Sequence, residues 1–289
     1  MLSVLIPCYN YSCYTLVERL HKQCKDLEID FEILVSEDGG NQCIEENSRI
    51  NALSHSDYIV NKLNLGRAGN LNRLLERAAF KSKLILDCDL MPENESFIST
   101  YIDLIKKNEP LVCFGGISYE ERNQTDNLRY NYGKKREALV AKERLKTPHK
   151  SLLTSNLLIV NCHLHFDQNI NTYGYEDLVF AENIKAHSIP VYHIDNQMLH
   201  LNLEENSTYL RKTETAQQTL IKLENEGFIK PGLTRISSVR LKFSRLYLSF
   251  LLSMLYLLVN GLFKWILLRK GRPVWLFDLY KLLYFSKHY

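Results

Sequence analysis

The sequence predicts an α/β protein: a three-layer α/β/α arrangement around a parallel-rich sheet, followed by a C-terminal helical tail. Three observations predict it. Short apolar runs alternate with helix-spaced segments, polar clusters follow three of those runs, and residues 235–289 turn apolar and basic. With 289 residues, 45% of them apolar and 24% charged, the chain has material for a sizeable core. Only 12 Gly and 7 Pro exclude disordered, collagen-like and low-complexity classes.

The elements follow in order. Val4-Leu-Ile-Pro7 is a short apolar run of buried-strand type, and Leu16, Val17, Leu20 and Cys24 recur at helical spacing. Phe31 to Ser36 and Asp57 to Val60 read as strands, Leu71 to Ala79 as a helix, and Leu84 to Asp87 as a fourth strand. A parallel sheet binds ligands at the carboxyl ends of its strands, where Pro7-Cys-Tyr-Asn10, Glu37-Asp-Gly-Gly40 and Asp87-Cys-Asp89 all fall. Three polar clusters on one edge predict a single site. Phe97 to Lys107 reads as a helix and Val112 to Gly116 as a strand. The basic stretch from Tyr119 to Lys150 is expected to be a mobile loop or irregular helix. Leu152 to Val160 and Pro190 to Ile194 read as strands, with a helix from Glu176 to Ala186 between them. No internal repeat is visible.

Seven Cys in no metal or disulfide spacing read as reduced thiols, and the N-terminus shows no leader pattern, so residence on the cytosolic side is expected. The sequons at Asn94, Asn123 and Asn206 are then chance matches. Net charge is +3, but residues 235–289 hold ten Lys/Arg against the single acid Asp278, leaving 26 basic and 32 acidic residues in 1–234. This split predicts two regions, 1–234 and 235–289, that face different partners. Leu246 to Phe263 carries no formal charge and is long enough to reach across a bilayer as a helix. Basic residues flank it on both sides (Arg240, Lys242 and Arg245; Arg269, Lys270 and Arg272), which disfavours a single span. In-plane or re-entrant helices on the cytosolic face are expected instead, with the Trp, Tyr and Lys of Val274 to Phe285 suited to an interface; a soluble helix packed on the main domain is the alternative.

Asp87-Cys-Asp89 places two carboxylates at the end of an apolar strand, which suits a hard divalent cation whose remaining positions are taken by substrate phosphates. Taken with Ser3 to Asn10, Val35-Ser-Glu-Asp38-Gly, Asn64-Leu-Gly-Arg67-Ala with Asn72, Tyr173-Gly-Tyr-Glu176-Asp177 and His200, it resembles glycosyltransferase family 2 over residues 1 to about 205. The resemblance implies a GT-A fold and an inverting sugar transfer from a nucleotide-diphosphate donor. It implies that Pro7 and Tyr9 shape the pocket for the base and that Asp38 accepts a hydrogen bond from it. Arg67 would meet the phosphates, with Asn10, Asn64, Asn72 and Cys88 in the same nucleotide-sugar set. Asp87 would face ribose and metal-bound water, Asp89 would ligate Mn2+ or Mg2+, and His200 would be a further ligand. Asp177 would be the catalytic base, with Glu176 contacting or supporting the acceptor hydroxyl.

The chain departs from that pattern at Glu37, where Asp is commoner, at Gly40, where Ser is common, and at Leu71, where a basic residue often stands. The expected reaction is hexosyl or N-acetylhexosaminyl transfer from a donor, expected to be UDP-linked, to a saccharide, expected to be lipid-linked, in cell-surface polysaccharide or glycan synthesis. The rival classes are a phosphatase with Asp87 as nucleophile, a nucleotidyltransferase and a non-catalytic membrane-bound protein of the same fold. A nucleic-acid partner is not expected, because no aromatic-basic platform accompanies residues 134–150.

Overall fold

A computed structural model describes residues 1–122, 125–168, 170, 172–270 and 273–289. Asn123 and Arg272, singled out in the sequence, lie outside the described residues. The chain divides into two compact units, Met1–Glu120, Glu137–Asn171 and Glu176–Asn202 in the first, and Glu121–Arg136, Thr172–Tyr175 and Leu203–Tyr289 in the second. This division differs from the expected boundary at 234/235. Residues 203–234 cluster with the tail because their helix contributes Leu210 to the same apolar core.

In chain order the elements are β1 (Leu2–Cys8), α1 (Tyr14–Asp26), β2 (Phe31–Glu37), α2 (Ile44–Ser48) with a 3-10 turn at Arg49–Ala52, β3 (Ser56–Val60), α3 (Gly66–Arg77), β4 (Ser82–Leu86), β5 (Leu90–Pro92), α4 (Phe97–Ile105), β6 (Leu111–Phe114) and β7 (Ile117–Ser118). They continue as α5 (Leu128–Arg136), α6 (Ala141–Arg144), β8 (Asn156–Val160), α7 (Glu176–Ala186), β9 (Val191–His193), β10 (Met198–His200), α8 (Asn206–Asn225), α9 (Arg235–Arg245), α10 (Ser249–Lys270) and α11 (Val274–His288).

The first unit is built on a seven-stranded sheet of order β3-β2-β1-β4-β8-β6-β9. β1, β2, β3 and β4 run parallel, while β8 is antiparallel to both β4 and β6. Every residue of β1 is buried, so both faces of the sheet are covered, as its unbroken apolar run requires. On one face Leu71, Leu74 and Leu75 of α3 and Phe180, Ala181 and Ile184 of α7 share a core with Leu5, Ile85 and Leu157. Burial of such side chains contributes about 1.5–3 kcal/mol each. α1 meets α4, fastened by Gln23, whose amide accepts from the Ile98 amide and donates to the Asn94 carbonyl.

A second sheet, β5-β10-β7, was not legible in the sequence because its strands are two or three residues long. Antiparallel pairing of β10 with β5 sets His200 opposite Leu90. The approach to β10 is held by buried amides: Asn156 accepts from the Tyr101 hydroxyl and donates to the Gly116 and Asn196 carbonyls. The strand expected from Leu152 begins only at Asn156, and the stretch from 119 to 150, expected to be a mobile loop or irregular helix, holds the two short helices α5 and α6.

The second unit is helical. Leu210, Leu252, Tyr256, Leu267, Phe277 and Tyr280 form its core. Polar ties fix it: Lys264 of α10 pairs with Glu214 of α8 at 2.8 Å, the Asn206 side chain donates to the Leu268 carbonyl, and Arg136 pairs with Asp278.

Candidate active site

The strand order places β1 between β2 and β4, and the segments leaving these three strands carry most of the candidate residues. Chain connections diverge there, the position at the carboxyl edge where a parallel sheet offers a ligand site. All the candidate residues belong to the first unit.

After β1, Pro7 lies buried in the strand opposite Ser36, and Tyr9 is 57% exposed. Asn10 adopts a left-handed conformation (φ 52°), which Asn tolerates better than most residues. Its amide donates to Glu37 Oε1 at 3.0 Å, and its own Oδ1 accepts from the Asn41 and Gln42 amides at 2.8 and 2.9 Å. A side chain at Gly40 would put its Cβ 2.2 Å from Glu37 Oε1 and 2.4 Å from Asn10 Oδ1. One contact thus accounts for two departures from the family pattern: the longer Glu37 carboxylate occupies the space that a residue larger than Gly40 would need.

After β2, buried Asp38 accepts from the Leu65 amide at 2.8 Å, joining that strand end to the start of α3. Asn64 is exposed and accepts from the Gly66 amide at 2.9 Å, so it shapes the entry to the same helix. Asn72 was expected in the nucleotide-sugar set. It is buried, donates to the Phe166 carbonyl at 2.8 Å and accepts from the Phe166 amide at 2.7 Å, so both ends of its side chain are spent on holding a loop. Leu71 is fully buried in the core, which explains the missing basic residue.

Arg67 projects from the first turn of α3. Its Nη1 stands 2.7 Å from Asp87 Oδ1, and its Nη2 donates to Thr154 Oγ1 at 3.0 Å. Thr154 is fully buried and donates in turn to Asp177 Oδ1, in the first turn of α7 beside buried Glu176. Burial works against the guanidinium charge, but Asp87, Asp177 and Glu176 outweigh it and hold Arg67 protonated. Burial likewise pushes the Asp177 carboxyl above its ordinary value, opposed by Arg67 and by the Thr154 hydroxyl and amide.

Beyond Cys88, Asp89 Oδ2 lies 3.7 Å from His200 Nε2, and the Leu201 amide donates to the Asp89 carbonyl at 3.0 Å. His200 stacks on Tyr119, ring centroids 5.3 Å apart. The Cys88 thiol is pushed up by a bond with Cys8 and by burial, so it is a neutral group here. Among the described residues no three His, Cys, Asp or Glu converge as a complete metal cage. One carboxylate and one imidazole, with phosphates and water to complete the shell, nevertheless fit a divalent cation held in the manner usual for nucleotide enzymes. Sequence reasoning missed Thr154 and Tyr119, because neither belongs to a recognisable motif. Tyr11 was missed as well: burial and the nearby Asp89 push its phenol up to about 12.

Comparisons with known proteins bear on the fold and the family. No curated protein sequence matches the chain. Among solved structures, TarS 1–349 of S. aureus superposes with a TM-score of 0.53 at 14% identity, covering 96% of this chain and 82% of that one. The same protein in complex with UDP gives 0.51 at 14%, covering 76% and 65%, so the chain spans just under two thirds of that neighbour. The mannosyltransferase PcManGT from Pyrobaculum calidifontis, in complex with GDP-Man and Mn2+, gives 0.58 at 13%, covering 99% and 85%. These likenesses establish the GT-A fold. Residues 3–163, more than half of the chain, match the profile of Glycosyl transferase family 2; the chain belongs to that family.

Proposed function

We propose that the chain transfers a hexosyl or N-acetylhexosaminyl group, with inversion, from a nucleotide-diphosphate sugar to a saccharide acceptor. The observation that carries this is the joint placement at one sheet edge of Arg67 against Asp87, of Asp89 beside His200, and of Asp177 linked to Arg67 through Thr154. Tyr9, Asn10 and the Asp38 turn border the base and ribose, while Arg67 orients the diphosphate, for which a guanidinium is well shaped. Asp89 and His200 would hold Mn2+ or Mg2+, which supplies charge neutralisation at the departing diphosphate. PcManGT was solved with GDP-Man and Mn2+, and TarS with UDP, so a nucleotide sugar is the reasoned donor and UDP the preferred nucleotide.

Asp177 takes the proton of the acceptor hydroxyl as that oxygen bonds the anomeric carbon, and the anomeric carbon–phosphate oxygen bond breaks with its electron pair leaving on the nucleoside diphosphate. Glu176 borders the acceptor. The test is release of nucleoside diphosphate from a panel of UDP- and GDP-sugars, with Mn2+, Mg2+ or chelator. Turnover that needs the metal and disappears in Asp89→Ala supports the reading, and metal-independent turnover untouched by that substitution refutes it.

The acceptor is proposed to be lipid-linked and the second unit to lie on the cytosolic face of a membrane, serving polysaccharide or glycan synthesis. α10 is largely apolar, yet only Leu252, Tyr256 and Leu267 of it are buried, with Val259, Phe263 and Ile266 packed partly buried against the same core. Leu258 (78%), Phe250 (64%) and Trp265 (52%) face outward, and exposed Lys242, Arg245, Arg269 and Lys270 flank them. Pairing of Lys264 with Glu214 ties the helix lengthwise to α8, which favours lying in the interface over crossing it.

A further inference from the structure

We propose that Thr154 is a positioning residue that fixes which oxygen of Asp177 receives the acceptor's proton. The inference rests on the reading of Asp177 as the base. Thr154 occupies the turn leading into β8, and the β4/β8 pairing sets this turn beside the DxD segment: Leu86 is opposite Asn156, and the Asp87 amide donates to the Ser155 carbonyl at 2.9 Å.

The direction of its hydrogen bonds is forced by chemistry. A guanidinium only donates, so the bond from Arg67 Nη2 at 3.0 Å makes Thr154 Oγ1 an acceptor on that side. The hydroxyl has one proton, and it goes to Asp177 Oδ1. Oδ1 is therefore turned to the Thr154 hydroxyl, and with that oxygen fixed the other, Oδ2, is the one assigned to collect the proton from the acceptor sugar. Because Thr154 is fully buried, no solvent molecule substitutes for it without a cavity being made. The chain Asp87–Arg67–Thr154–Asp177 also connects the residue beside the donor phosphates to the base, so one rigid path positions both halves of the reaction.

The test uses the full chain with Thr154→Val, which keeps the shape and removes the hydroxyl, and Thr154→Ser, which keeps the hydroxyl. The expected result is a fall in kcat of about 10²-fold or more in the Val variant, the scale of a general base. Donor KM should stay within about threefold, because Arg67 keeps its ion pair with Asp87 when the Thr154 hydroxyl is lost, and the Ser variant should recover most of the rate by restoring that hydroxyl. Equal kcat in wild type and a folded Val variant overturns the proposal, as does a Ser variant as slow as Val. If Val does not fold, Thr154→Ala repeats the comparison. Crystal structures of the variants give a readout independent of turnover. A turned Asp177 carboxylate in Val, restored in Ser, supports the inference, and an unmoved one overturns it. Absence of any sugar transfer by wild type would refute the functional reading itself, leaving the carboxylate orientation to decide this one.

Discussion

Replacing Gly40 by Ala tests the geometry of the donor edge through stability alone. Gly40 does not sit in the left-handed region, so Ala brings no backbone strain, and by limiting the unfolded chain it would by itself add about 0.4–1 kcal/mol. The new Cβ, however, would stand 2.2 Å from Glu37 Oε1 and 2.4 Å from Asn10 Oδ1. Neither atom moves freely: Glu37 is fully buried and accepts from the Asn10 amide, and Asn10 Oδ1 accepts from two amides. Displacing the carboxylate costs a charged hydrogen bond, about 1.5–3 kcal/mol, and overpacking adds about 1 kcal/mol, for a net loss of about 2–3 kcal/mol. With Glu37→Asp in place the carboxylate is one methylene shorter and the space opens. The double variant should then be more stable than the sum of the singles by about 1 kcal/mol or more. Urea unfolding of the four proteins measures it. Additivity within about 0.5 kcal/mol would refute the claim that Glu37 and Gly40 are one feature.

The pH profile of transfer should fall on its acid side with an inflection above the ordinary aspartate value of 3.8, because burial raises Asp177 and only its ionised form takes a proton. Arg67 lowers that carboxyl, so Arg67→Gln should move the limb of the residual activity to higher pH, and a limb moving to lower pH would contradict the assignment. On the second unit, Phe250→Asp with Leu258→Asp should abolish sedimentation with anionic vesicles while leaving the helical circular dichroism unchanged. Two such side chains contribute about 3 kcal/mol or more of burial, roughly a hundredfold in partitioning. Undiminished sedimentation would contradict the in-plane reading. These substitutions are a better probe than truncation after Arg235, which would strip α8 of the α10 and α11 side chains that share its core.

Legibility in the sequence followed the physics of each element. β1, β2 and β4 were readable because strands buried on both faces must be continuously apolar, and the polar residues that end them mark the site edge. β5, β7 and β10 were not, since two or three residues leave no period to detect, yet β10 brings His200 to Asp89. Asn72 shows that a motif position gives residue type but not direction: its amide turns inward to Phe166. Thr154 carries no pattern at all. Its role arises only when the β4/β8 register sets it between Arg67 and Asp177. The tail's basic and apolar character was plain, but α8 joining its core depends on packing that a charge count does not see.

The central claim is that Asp177 is the base for sugar transfer at an edge where Arg67 holds the diphosphate. The most direct measurement compares wild type with Asp177→Asn for metal-dependent transfer and, in parallel, for binding of the accepted nucleotide sugar by calorimetry. The account predicts donor affinity within about threefold of wild type and a rate lowered by about 10²–10⁴-fold. An Asp177→Asn enzyme that transfers sugar at the wild-type rate would contradict it.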